Sequence, residues 1–227
     1  MRVLHVVDGV EYRVLSPVDA SQMASLLAEV FSRSEPMAVA ANLPASQVAR
    51  MVECLVPKAI AEQLTIVACD AVSGQLVGAL LADDFGTTPP EGLDDAAPQF
   101  APVGALLDTL DEPYRADTAV APGTHAHLFM LGVAAQSASR GIAGQLVAAC
   151  LAQAHGLGYR TAVTEATGAA SQQVFRRAGF HHVATASYRD FVYGGERVFS
   201  AITVAEGTFL MTRDLDGRAP LPGTGVV

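Results

Sequence analysis

The stretch Val133-Ala134-Ala135-Gln136-Ser137-Ala138-Ser139-Arg140-Gly141-Ile142-Ala143-Gly144-Gln145-Leu146 decides how this chain is read. It follows a run, Leu128 to Val133, that reads as a strand. It opens a run that reads as an amphipathic helix, with Ile142, Leu146, Cys150 and Ala154 on one stripe and Val147 and Leu151 beside them. A strand, a loop of small residues and a helix N-terminus together make a recipe for holding a pyrophosphate. The first amides of a helix have no partner within it, and the macrodipole adds partial positive charge there. Gly141, Ala143 and Gly144 let an anion approach those amides, and Arg140 adds a full charge. A glycine-bearing turn is a weak signal by itself, because many strand–helix junctions carry glycine only for packing.

A second segment, Ser171-Gln172-Gln173-Val174-Phe175-Arg176-Arg177-Ala178-Gly179-Phe180, sharpens the reading. Together the two resemble motifs A and B of the GNAT acyltransferases, the acetyl-CoA-dependent N-acetyltransferase superfamily, over roughly Leu128 to Phe180. Motif A in that family reads roughly Arg/Gln-x-x-Gly-x-Gly/Ala; here Ala138 stands in the first position and Gly141 and Ala143 in the others. The resemblance implies an α/β chain of the GNAT fold, a mixed central sheet with splayed strands flanked by helices. It implies acetyl-CoA as cosubstrate, with Ser139, Arg140, Gly141, Ala143 and Gly144 around its pyrophosphate. It also implies that Leu131 and Val133 act through their backbone on the pantetheine arm and the thioester carbonyl, their side chains being core.

Two positions depart from the family pattern. The motif B tyrosine that often protonates the departing thiolate is Phe175 here, and a common asparagine corresponds to Gly168. A narrower resemblance accommodates them. The segments Glu165-Ala166-Thr167-Gly168-Ala169-Ala170-Ser171, Tyr188-Arg189-Asp190-Phe191 and Gly195-Glu196-Arg197-Val198-Phe199 are similar to the insect-type arylalkylamine N-acetyltransferases. So is Phe31-Ser32-Arg33-Ser34-Glu35-Pro36-Met37 after the first helix. That branch implies Glu35 as general base, Ser171 as an assisting serine, and Thr167 as a hydroxyl where another is expected.

Physical chemistry bears on each of these separately. A carboxylate at the end of a helix is disfavoured by the macrodipole, so a partly buried Glu35 should have a raised pKa, suiting a base near neutral pH. Without the resemblance it reads as a solvated acid at a helix-to-loop junction. Ser171 reads equally as a residue bonding nearby backbone carbonyls. Tyr188 and Tyr193 are alternative proton donors, though strand tyrosines more often pack. His125 and His127 share a strand face, but no third ligand lies at useful spacing, and no metal is expected. His181 and His182 read as surface residues, and Arg176 and Arg177 as solvated helix charges.

The chain has 227 residues, 51% of them hydrophobic and 16% charged, which implies a substantial core. No apolar run approaches the ~20 residues of a membrane helix, and the N-terminus turns polar too soon for a secretion signal. Cys54, Cys69 and Cys150 are odd in number and lie in apolar segments, so they read as reduced core residues of a cytoplasmic protein. The net charge of −9 argues against nucleic acid. Between Asp83 and Asp117 there are nine acids and only Arg115 as a base. This reads as a solvated acidic insertion or as a negative rim that draws cationic amines.

Along the chain we expect a strand over 11–15 and a helix started by Ser16 as N-cap, Pro17 at N1 and Asp19 at N3. That helix carries Met23, Leu26, Leu27, Val30 and Phe31 and ends before Pro36. A second helix from about Ala45 to Leu64 should be kinked or split by Pro57. Strands over Thr65–Val72 and Gln75–Ala82 meet at Ser73-Gly74, and an extra helix runs from Pro98 to about Leu110. Beyond the helix that opens at Ile142, a strand over Arg160–Glu165, a helix over Ala169–Ala178, and strands over His181–Phe191 and Gly207–Arg213 follow. This gives a single domain over residues 1–213, with the acidic insertion at about 83–117 and a flexible tail over 214–227.

The expected activity is transfer of an acetyl group from acetyl-CoA to a primary, arylalkylamine-like small-molecule amine by direct attack in a ternary complex. The expected protein is a monomer or homodimer with no nucleic-acid or membrane partner. Acceptors of another kind (a polyamine, an aminoglycoside, an amino acid), a non-catalytic acetyl-CoA sensor and a partner-binding scaffold are the alternatives.

Overall fold

A computed structural model of the protein describes residues 2–217. Eight strands form one sheet in the order β1-β2-β3-β4-β5-β6-β8-β7. These are β1 (Val3–Val7), β2 (Val10–Val14), β3 (Ile66–Asp70), β4 (Leu76–Asp84), β5 (His125–Val133), β6 (Thr161–Ala166), β7 (His181–Ser187) and β8 (Gly207–Asp214). Every neighbouring pair is antiparallel except β5 and β6, which run parallel. The helices are α1 (Ala20–Ser34), α2 (Pro36–Ala40), α3 (Ala45–Glu62), α4 (Leu93–Ala96), α5 (Ala101–Asp117), α6 (Ile142–Gly156) and α7 (Ala169–Arg177).

Alternation along the central strands sorts the core onto two faces. Ile66, Ala68, Leu80, Ala82 and Leu128 pack with Ile142, Leu146, Val147, Cys150 and Leu151 of α6. Their neighbours Val67, Cys69, Ala79, Leu81 and Met130 pack with Met23 and Leu27 of α1 and Val48, Met51, Val52 and Leu55 of α3. Each fully buried aliphatic side chain contributes about 1.5–3 kcal/mol of hydrophobic stabilisation. Two glycines set how closely the helices approach. A Cβ on Gly132 of β5 would lie 2.9 Å from Leu27 of α1, and one on Gly78 of β4 would lie 3.1 Å from both Ile142 and Leu146 of α6. A third cluster joins Met37 of α2, Val103, Leu106 and Leu107 of α5, and Tyr188 and Phe199.

Several expectations need correction. Residues 3–7, not read as a strand, form β1, joined to β2 through Asp8 and Gly9, both at positive φ (49° and 74°). Of the kink or split expected at Pro57, the split is absent: α3 runs unbroken over 18 residues. Pro36 does not simply end a helix; it opens α2 as its first residue. The extra helix α5 reaches Asp117 rather than Leu110. β7 ends at Ser187, because the chain then turns Tyr188 into the third cluster. The expected loose tail does not begin at Asp214: this residue closes β8, and the Leu215 amide bonds Arg160 O at 2.8 Å. The remainder of that tail, 218–227, lies outside the described residues.

The helix start at Ser16 is present as a single 3-10 turn, Pro17–Asp19, leading into α1, and the Asp19 carboxylate accepts from the Ser16 hydroxyl at 2.7 Å. Cys69 and Cys150 are buried, Cys54 is half-buried, and all three are free thiols. Burial pushes the Cys69 thiol up to about 11 and Cys150 up to about 12. No helix among the described residues is long and apolar enough to cross a membrane.

Candidate active site

The site begins where β5 and β6 part. Their ladder covers only His125 opposite Thr161, Ala126 opposite Ala162 and His127 opposite Val163. At the parting point the Thr164 hydroxyl bonds Leu128 O at 2.8 Å. Beyond it β5 stays paired with β4 as far as Val133, and β6 with β8 as far as Ala166. A wedge therefore opens between the two parallel strands, with main-chain groups of β5 released from their neighbour.

A cavity of about 580 Å³ occupies this wedge. Leu131, Val133 and Ala143 line it, as do Glu35, Thr167 and Ser171. Six of the ten residues expected in the site thus meet in one space. The other four, Ser139, Arg140, Gly141 and Gly144, are exposed in the loop and first turn of α6 that follow β5. Ser139 and Gly141 have positive φ (63° and 77°), and Gly141 is the N-cap of α6. A Cβ built on Gly141 or Gly144 would touch nothing within 4 Å, so the helix N-terminus faces open space. The Arg140 guanidinium donates to Asp8 O at 3.2 Å.

Glu35 ends α1 and caps α2. Its carboxylate accepts from the Met37 amide at 3.2 Å and the Ala38 amide at 2.5 Å. Burial raises its pKa, while the Ala38 amide, the Thr167 hydroxyl and the Met37 amide oppose that rise. The expected direction holds, with burial among its expected causes, but the macrodipole acts the other way. Removal from water drives the shift, whereas the start of α2 favours the charged form.

Thr167 is held from behind by Tyr188, whose hydroxyl donates to Thr167 O at 2.5 Å and accepts from the Thr208 hydroxyl at 3.1 Å. Tyr188 is 1% exposed, and its phenol is pushed up by burial, with the Glu35 charge adding to the rise. It does not line the cavity. Tyr193 is exposed and exchanges backbone bonds with Glu196. The Ser171 hydroxyl donates to Gly168 O at 2.9 Å and accepts from the Gly168 amide at 3.1 Å, closing the first turn of α7 while it lines the cavity. Phe175 is buried with its ring 5.1 Å from Phe180.

The acidic insertion lines the cavity with apolar side chains: Phe100, Val103 and Leu107. Of its acids, Asp84 is buried against the Gly86 and Gly123 amides, and Asp83 is paired with Lys58 and His127.

One group of side chains has no signature in sequence spacing. His127 stands between Asp83, 3.0 Å from Nδ1, and Glu165, 2.7 Å from Nε2. Burial alone would lower its pKa, but the Glu165 charge and the bonds to both carboxylates raise it well above the ordinary value. These acids lie on β4 and β6, so only the sheet order, not the sequence spacing, brings them to the histidine. His125 instead meets the Thr124 hydroxyl at 2.7 Å.

Known proteins match this picture at the level of fold. The C-terminal condensation domain of Ebony, solved in complex with beta-alanyl-dopamine, superposes with a TM-score of 0.82 at 15% identity, over 90% of this chain and 98% of that one. Arylalkylamine N-acetyltransferase 2 from Aedes aegypti gives 0.75 at 18% identity, over 92% and 100%. The polyamine N-acetyltransferase of Drosophila melanogaster gives 0.69 at 20% identity, over 90% and 99%. No curated protein matches the sequence. The model of the acetyltransferase (GNAT) family matches residues 60–180, more than half of the 227-residue chain and the span from the end of α3 through the wedge to Phe180. By that match and this fold, the chain belongs to the GNAT acetyltransferase family.

Proposed function

We propose that the protein transfers an acetyl group from acetyl-CoA to a primary amine of the arylalkylamine type, by direct attack in a ternary complex. The observation that carries this reading is a half-buried carboxylate, Glu35, in a largely apolar cavity that opens onto the released edge of β5. The residues present fit acetyl-CoA. The α6 N-terminus has no side chain over Gly141 or Gly144, so its amides would hold a pyrophosphate, with Arg140 adding charge. Main-chain groups beside Leu131 and Val133 would take the pantetheine arm and polarise the thioester carbonyl.

Glu35, directly or through a water, takes a proton from the ammonium form of the acceptor. The freed nitrogen attacks the carbonyl carbon; the new C–N bond forms and the C–S bond breaks. The second proton of the attacking nitrogen passes through Ser171 or a water to the departing thiolate, leaving a neutral amide, a thiol and an unchanged hydroxyl. Thr167, braced by Tyr188, holds the Glu35 carboxylate in place. Lining by Phe31, Phe100, Phe129, Val103 and Leu107 favours an aromatic acceptor over a polycation.

The test is thiol release from acetyl-CoA with phenylethylamine, tyramine, spermidine and an aminoglycoside. We expect turnover of the two aromatic amines at least about tenfold more efficient than that of the polycations, the discrimination an apolar pocket gives against desolvated charge. Turnover of spermidine alone would retain the family and discard the substrate class.

A further inference from the structure

Past the last ladder pair of β5 and β6, His127 opposite Val163, two side-chain bonds still join the parting strands. The Thr164 hydroxyl donates to Leu128 O at 2.8 Å, and the His127 ring donates from Nε2 to the Glu165 carboxylate at 2.7 Å. Thr164 and Glu165 are consecutive in β6, so their side chains leave opposite faces of the sheet. Both line the cavity where the strands part. His127 is anchored on its other side, where Nδ1 meets Asp83 of β4 at 3.0 Å, directly across the ladder. Asp83 in turn accepts from Lys58 of α3 at 2.7 Å. An ionised carboxylate only accepts, so a ring held between two of them donates from both nitrogens and is an imidazolium. One charged ring thus ties β4, β5 and β6 together where the wedge begins.

A buried ion pair often adds little net stability over apolar side chains of the same shape, because both charges lose their water. What this one adds is fixed geometry, and that geometry faces the cosubstrate. β5 runs from Leu128 at the parting point through Leu131 and Val133 to the loop that ends at Gly141, the N-cap of α6. With a pyrophosphate at α6, the pantetheine arm lies back along β5, and its thioester end comes nearest to the two bonds. The strand separation there sets how deeply the arm can enter.

We infer that His127 is a positioning residue: clamped between Asp83 and Glu165, it fixes the separation of β5 and β6 at the closed end of the wedge, and with it the depth of the acetyl-CoA thioester against β5. This rests on acetyl-CoA occupying the wedge, as proposed above. Loss of the ring proton removes one of the two bonds, since a neutral imidazole donates from one nitrogen only. The groups that face the ring are Asp83 from β4, Glu165 from β6 and Asp111 from α5. Lys58 of α3 stands behind Asp83, and Arg115 of α5 lies over the Phe85 ring that packs on His127. Burial acts against the charge, and Glu165 and Asp83 outweigh it.

The experiment measures the affinity of acetyl-CoA and of ADP by calorimetry from pH 6.5 to pH 9 in the unaltered protein, His127→Gln and Glu165→Gln. ADP carries the pyrophosphate without the arm, so it reports on the α6 end of the site and on phosphate ionisation. In the unaltered protein, acetyl-CoA affinity relative to ADP should hold near neutral pH and weaken as pH rises through the His127 value. In His127→Gln at pH 7 it should fall about tenfold or more, as expected for loss of a hydrogen bond between charged groups, while ADP stays within about twofold. Glu165→Gln keeps an oxygen for the ring but removes the charge that holds its proton, so the weakening should begin at lower pH. That variant carries the test if His127→Gln does not fold. Equal losses for acetyl-CoA and ADP, or an acetyl-CoA affinity and pH profile unchanged in both variants, overturn the inference and leave the cosubstrate reading intact. No binding of acetyl-CoA by the unaltered protein overturns both.

Discussion

As the proposed base, Glu35 has to be ionised enough to accept a proton and basic enough to take it from an ammonium. Burial supplies the basicity; the Met37 and Ala38 amides and the Thr167 hydroxyl keep the charged form accessible. The sequence shows the helix end and Pro36 but not the second helix that Pro36 opens, so it points to the right direction of shift and to burial, while giving the helix dipole the wrong sign. His127 is the other residue whose surroundings decide its charge. Its folded pKa is raised well above 6.5, so its contribution to stability is whole below that value and is lost as pH rises through the folded value. Asp111, also raised, acts in the same direction from the carboxylate range upward, whereas Asp83, lowered by the hydrogen bond and charge of His127 and by Lys58 despite its burial, loses stability only toward acid. We expect the thermal midpoint to fall steadily from pH 6.5 to pH 9 and the slope to flatten in His127→Gln. A midpoint independent of pH over that range in the unaltered protein would mean the imidazolium is not held by these acids.

Among the elements, periodicity made the long ones legible: α1, α3 and α6 by their apolar stripes, β3 and β4 by the hairpin at Ser73-Gly74. What escaped was short or lay at an edge. β1 is half exposed, and its hairpin signal, Asp8-Gly9, is brief; α2 is only five residues long. The loop into α6 was legible because its chemistry is local, a few small residues before a helix. That element has its own test. In Gly144→Glu the side chain enters open space, and a carboxylate in the first turn of a helix is stabilising by roughly 0.3–1 kcal/mol. The fold should therefore hold while the new charge repels a pyrophosphate, raising KM for acetyl-CoA about tenfold or more at low salt. An unchanged KM would remove the α6 N-terminus from the cosubstrate site.

At the scale of the molecule, the site is a product of sheet order. β5 and β6 are parallel neighbours that part after three paired residues. The α1–α2 junction, carrying Glu35, and the start of α7, carrying Ser171, both border the space between them. These residues are far apart in sequence, and only a resemblance to a family brought them together before the fold was known. The group of His127, Asp83 and Glu165 had no such guide, since its members come from β5, β4 and β6. The exposed acids of the acidic insertion and its apolar contribution to the cavity likewise separate only in three dimensions.

The most direct measurement is kcat for acetyl transfer to tyramine at neutral pH in Glu35→Gln, with acetyl-CoA affinity determined on the same protein by calorimetry. We expect kcat to fall about 100-fold or more, with acetyl-CoA affinity held within about twofold and part of the rate recovered at alkaline pH, where the amine is already free. Turnover within a few-fold of the unaltered protein would contradict the assignment of Glu35 as the base.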